Sequence, residues 1–199
     1  VLPLAFAIAF LAARFLPGAL STAPDRADAV AVGKQLERVR VVQSRPTVTG
    51  YKRELFGVWA GPADCNTRRL VLVAWFGGSR CTLADDRSIA DPYTGDGVVS
   101  HEVDIDHVYP LAAAWDFGAY AWDSARRREF GNDAETNLVP TLSSVNRDKG
   151  DATPGEWMPD KTARCTYAAR YLTVALKWDL AVTESDWEAL AAACGIEKK

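Results

Sequence analysis

Glu102-Val103-Asp104-Ile105-Asp106-His107-Val108-Tyr109-Pro110 decides how this chain is read. Polar and apolar residues alternate from Glu102 to Asp106, the period of a strand with one wet face. Asp104 and Asp106 then share that face and His107 lies just beyond. Pro110 removes a ladder donor and stops the strand from simply continuing. Downstream of Asn137, Leu138-Val139 reads as a short second strand, and Ser143 or Ser144 starts a short helix carrying Asn146 and Lys149. The pattern is strand, strand, helix, with a histidine on the first strand and an amide on the helix.

These residue types suit one reaction. A phosphodiester repels nucleophiles with its own charge, so its hydrolysis needs charge neutralisation, an activated water and help for the leaving oxygen. A divalent ion supplies the first and third, and a histidine the second. Magnesium prefers oxygen ligands and retains several waters, so one carboxylate and one amide oxygen suffice. Asp106 and Asn146 are the natural ligand pair and His107 the natural base; His101 is the only other histidine. The bland alternative is that an Asp-His pair marks a surface loop or a satisfied histidine. The ordered downstream residues argue against it.

Asp106-His107-Val-Tyr-Pro110-Leu111, Asn137-Leu138 and Asn146-Arg-Asp-Lys149-Gly150-Asp151 resemble an HNH endonuclease with its ββα-metal motif. Gly50-Tyr51-Lys-Arg53, Cys65-Asn-Thr-Arg68, Asp91-Pro-Tyr93-Thr-Gly95, Arg127-Arg128-Glu-Phe130 and Gly150-Asp-Ala-Thr-Pro154 narrow the resemblance. The chain is similar, from about Tyr51 to Cys194, to secreted bacterial HNH proteins related to the C-terminal nuclease domain of GmrSD restriction endonucleases. The resemblance implies an α+β fold: an HNH core at about residues 100–152 with flanking helices and short antiparallel strands. It implies catalytic roles for His107, the general base, and Asn137, which braces the motif loop. It makes Asp106 and Asn146 metal ligands. An amide in place of a final imidazole suits magnesium, or manganese, better than zinc. Lys149, Arg147 and Arg128 are candidate phosphate contacts; for each, a helix-face charge is the competing reading.

Composition bounds the rest. A chain of 199 residues, 48% hydrophobic, has enough apolar material for one domain with its own core. Its net charge of −3 gives no global basic signal, which a nucleic-acid enzyme usually shows. Basic residues do cluster between Lys34 and Arg53. The expected substrate is nucleic acid, non-specific DNA first, with RNA open, no organic cofactor and a monomeric chain. Two rivals remain: a catalytically silent binding module and a phosphodiesterase acting on small nucleotides. The lack of a Gly-x-Ser-x-Gly elbow, and cysteines better explained as pairs, argue against a serine or cysteine hydrolase.

Residues 1–29 read as a secretory signal, or as an uncleaved anchor through the apolar stretch 1–20. Residues 30–50 read as a helix and linker, and 51–199 as the nuclease domain. Cys65, Cys81, Cys165 and Cys194 are even in number and form no C-x-x-C pair, against a structural zinc and in favour of disulfides outside the cytoplasm. Of three pairings, Cys65–Cys81 and Cys165–Cys194 each close a local loop. Leu70–Trp75 reads as a buried strand inside the first loop. Thr162–Trp178 reads as a long helix, and Thr183-Glu-Ser-Asp186 as the capping box of a last helix through Ala193. Trp115, Trp157, Trp178 and Trp187 are expected to anchor the core.

Overall fold

The computed structural model describes residues 26–84 and 87–197. The apolar stretch 1–20 lies outside them. Among the described residues, no helix is long and apolar enough to cross a membrane. In chain order the elements are helix α1 (Arg26–Leu36), strand β1 (Val41–Val42), a 3-10 turn (Arg53–Phe56) and helix α2 (Thr67–Phe76). Four short strands follow: β2 (Gly78–Ser79), β3 (Thr82–Leu83), β4 (Ser88–Ala90) and β5 (Gly97–Val99). Then come β6 (Val103–His107), α3 (Leu111–Asp116), α4 (Ser124–Gly131), β7 (Leu138–Leu142) and α5 (Ser143–Lys149). The chain closes with α6 (Arg164–Trp178), β8 (Val182–Thr183) and α7 (Glu184–Ala193). The class is α+β.

At the centre, β6 and β7 pair antiparallel, with Asp106 opposite Val139 and His107 opposite Leu138, and α5 leaves β7 without a loop. Val103, Ile105 and Leu138 bury one side of this hairpin against Val71, Leu72 and Phe76 of α2. A larger core on the other side joins α1, α3, α6 and α7 through residues such as Val32, Tyr109, Ala114, Tyr171, Leu172 and Leu190. The functional strand is therefore wedged between two apolar clusters, which fixes its position far better than an isolated hairpin could.

Leu70–Trp75 is not a strand. It lies within α2, because Asn66 caps that helix by accepting a hydrogen bond from the Arg69 amide at 3.0 Å. Buried Thr67, Val71, Leu72 and Phe76 then recur along one helical face. A short apolar run has no period of its own to separate strand from helix. The disulfide Cys65–Cys81 forms as expected, but it ties the start of α2 to the β2–β3 turn. Cys165–Cys194 joins the first turn of α6 to the end of α7.

Within residues 30–50 the chain completes α1 and then runs on with little regular structure after β1. Val32, Leu36 and Val39 enter the main core, and β1 pairs parallel with β8. The Thr183 capping box is present in full: its side chain accepts from the Asp186 amide at 3.0 Å, and Asp186 accepts from the Thr183 amide at 2.8 Å. Trp115 is buried, while Trp157, Trp178 and Trp187 pack half-buried against the same core.

Candidate functional site

The face of β6 expected to be wet is sealed at Asp106, which is 4% exposed. Two side chains close it. The Tyr93 hydroxyl donates to Asp106 Oδ2 at 2.6 Å, and Lys149 Nζ, itself 1% exposed, lies 3.0 Å from the same carboxylate. Lys149 also donates to the His107 carbonyl at 2.9 Å. Tyr93 is held in turn by Asp91, whose carboxylate accepts from the amides of Tyr93 (2.8 Å) and Leu142 (2.7 Å) and from the Thr141 hydroxyl (2.9 Å). One buried aspartate thus pins the turn bearing Tyr93 to β7. Burial raises the Asp106 carboxyl above its ordinary value, opposed by Lys149 and by the two side-chain hydrogen bonds. Burial and the neighbouring Asp106 also push the Tyr93 phenol well up, so it remains a donor.

His107 is 6% exposed and its Nε2 lies 2.9 Å from the Gly131 carbonyl. A carbonyl only accepts, so Nε2 carries the hydrogen and Nδ1 keeps its lone pair. Gly131 is in turn packed closely on the 3-10 turn: a Cβ there would lie 2.8 Å from the Phe56 carbonyl. The Trp59 ring lies parallel to the imidazole, centroids 5.8 Å apart. Burial holds the imidazole at about 3, below its ordinary 6.5, only partly offset by the Gly131 bond. The ring is therefore neutral at physiological pH, the form a base requires.

This shift has a consequence for stability. Between about 6.5 and about 3 the unfolded chain protonates His107 and the folded chain does not. The contribution of the neutral ring is complete above 6.5 and is lost as pH falls through that window. Thermal melts between pH 7 and 4 should show a shallower acid decline for His107→Gln than for the unaltered protein; equal slopes would contradict the buried neutral ring.

Asn137, 0% exposed, works one step away. Its Oδ1 accepts from the Tyr109 amide at 2.8 Å, its Nδ2 donates to the Tyr109 carbonyl at 3.3 Å, and its backbone carbonyl accepts from Val108 at 2.8 Å. It clamps the turn that follows His107, so its hold on the ring runs through the backbone. Asn146, half-buried on α5, lines a polar cavity of about 250 Å³ together with Asp106, His107, Tyr51, Arg53 and Asp151. Asp106, His107 and Asn146 thus line one cavity.

Three expected phosphate contacts are placed otherwise. Lys149 is fully enclosed and bound to Asp106, because the last turn of α5 packs onto β6. Arg147 is exposed on α5 and does not line the cavity. Arg128 is exposed on α4 against Gly57 and lines a separate cleft with Asn132 and Trp178. Arg53 is the basic side chain that reaches the site. Spacing in the sequence assigns no role to Arg53, Trp59 or Tyr93; the family resemblance of their segments is the one signal for Arg53 and Tyr93, and Trp59 has none.

All four cysteines are in disulfides, which leaves no thiolate for a metal. Among the described residues, no group of three or more His, Cys, Asp or Glu side chains converges as a metal centre. The side chains on the polar cavity that offer oxygen donors include the Asp106 carboxylate, whose Oδ1 accepts from Lys149 and Oδ2 from Tyr93, and the Asn146 amide. That set fits a hard, hydrated cation that takes few protein ligands.

The family model for the C-terminal domain of GmrSD restriction endonucleases matches residues 80–193. A protein of the fungus Arthroderma benhamiae, described as an uncharacterized secreted protein, is 36% identical over 151 residues, covering 71% of this chain and 72% of the relative. No solved structure matches. The sequence resemblance points to a bacterial type, whereas this relative is fungal.

Proposed function

Because this chain belongs to the family of GmrSD restriction endonuclease C-terminal domains, we propose that it is a metal-dependent endonuclease of the HNH type, with β6, β7 and α5 as its ββα-metal core. One observation carries the reading: Asp106, His107 and Asn146 line a single polar cavity, and His107 is neutral with its Nδ1 lone pair retained. Nδ1 takes a proton from the attacking water. The Gly131 carbonyl holds the ring in the required tautomer, and Asn137 fixes the turn behind it. Asp106 and Asn146 would hold magnesium or manganese. When bound, such an ion neutralises charge at the phosphate and assists the leaving oxygen. Lys149 acts through Asp106, setting the direction of its carboxylate. Arg53, on the cavity wall, is the phosphate contact.

The substrate is nucleic acid. Export of the chain is supported by its two disulfides and by the secreted relative. Chelation should reduce cleavage of supercoiled plasmid to background; magnesium or manganese should restore it, and calcium should not. Cleavage that persists in excess chelator would overturn the metal assignment.

A further inference from the structure

A second cavity, of about 240 Å³, adjoins the polar one and shares Arg53, His107 and Leu111 with it. Its own lining is mostly apolar: Phe56, Val58 and Trp59, with Glu54 beside them. Phe56 is 1% exposed and braced by the Phe130 ring, so the floor is preformed. The rim continues the character. Val58 is 84% exposed and Tyr51 is 36% exposed. One segment, Tyr51–Trp59, therefore places apolar and aromatic surface along both cavities, with Arg53 where they meet.

Resting on the nuclease reading above, we propose that this second cavity receives one unpaired nucleobase beside the scissile phosphate, so that the preferred substrate is single-stranded or locally melted nucleic acid. Two independent observations favour it. The first is the position of the cavity. The two cavities share walls, so a strand whose phosphate enters the polar one delivers the neighbouring nucleotide to the apolar one. In a duplex that base stays stacked and paired. The second is charge. Among the described residues lining the two cavities, Arg53 is the one cation, against Glu54, Asp106 and Asp151, and the whole chain carries −3. Duplex binding draws its affinity from many phosphate contacts, which this cleft does not offer. Apolar and aromatic contact with a base supplies affinity without cations and without sequence preference.

The test uses the full protein in magnesium and an oligonucleotide with one phosphodiester among methylphosphonate linkages. It is presented as a single strand, as a duplex, and as single strands with an abasic site on either side of the cleavable linkage. The single strand should be cut with the higher kcat/KM. One abasic position and not the other should raise KM by about 5- to 150-fold with kcat little changed, the range of one base–aromatic contact. Trp59→Ala should abolish the difference between intact and abasic strands, and Trp59→Phe should restore most of it. If single strand and duplex are cut equally and neither abasic site matters, the base pocket is wrong while the nuclease reading stands. If no substrate is cut at all, the nuclease reading fails first and the pocket with it.

Discussion

His107→Ala lowers kcat for phosphodiester cleavage by at least about 10²-fold, and up to about 10⁴-fold, the usual worth of a positioned general base. The expectation follows from three features that act together. Burial keeps the ring neutral, the Gly131 carbonyl fixes the proton on Nε2, and the polar cavity adjoins the ring. The substitution also leaves the Gly131 carbonyl without its donor and Trp59 without its stacked partner, so about 1 to 3 kcal/mol of stability is lost with it. The rate is therefore compared at a temperature where melting shows both proteins folded. The acid limb of the kcat/KM profile should lie below histidine's ordinary 6.5, because the folded ring takes its proton only at about 3. A full-rate alanine variant, or an acid limb at 6.5, would remove His107 from the role.

Lys149→Met destabilises the fold by about 3 to 5 kcal/mol, the usual result of deleting one member of a buried ion pair. The methionine fills the space but leaves the Asp106 carboxylate with the Tyr93 hydroxyl as its one side-chain donor, and leaves the His107 carbonyl without a side-chain donor. The sign with pH is definite. The Asp106 carboxyl is already raised by burial, and loss of Lys149 raises it further. A group that binds its proton more tightly when folded stabilises at low pH and loses that contribution as pH rises through its folded value. The defect in the variant should grow from acid to neutral pH in urea unfolding. Adding Asp106→Leu should recover much of the stability while leaving the protein inactive. A loss under about 1 kcal/mol at neutral pH would show that the pair does not carry the site.

What was legible in the sequence is what depends on near neighbours. The alternation through Asp106, the start at Ser143 and the Thr183–Asp186 box each signal their element within one or two turns of chain, and all three elements form. The disulfide pairings follow from short loops. Leu70–Trp75 misleads because its apolar run has no period, and the deciding cap, Asn66, lies outside it. Lys149 misleads for another reason: on a short helix its charge suggests solvent, and only the docking of α5 on β6 turns it inward. Tyr93 reaches the site from one loop, Arg53 and Trp59 from another distant in sequence, and the pairing of Val41–Val42 with Val182–Thr183 spans most of the chain. No local pattern encodes such meetings.

The most direct measurement is a paired time course on supercoiled plasmid and circular single-stranded DNA in magnesium, with the unaltered protein and a folded His107→Ala variant. The expected result is conversion of one or both substrates by the unaltered protein and at least about 10²-fold slower conversion by the variant. Equal cleavage by both proteins, or no cleavage by the unaltered protein, would contradict the assignment of Asp106, His107 and Asn146 as a nuclease centre.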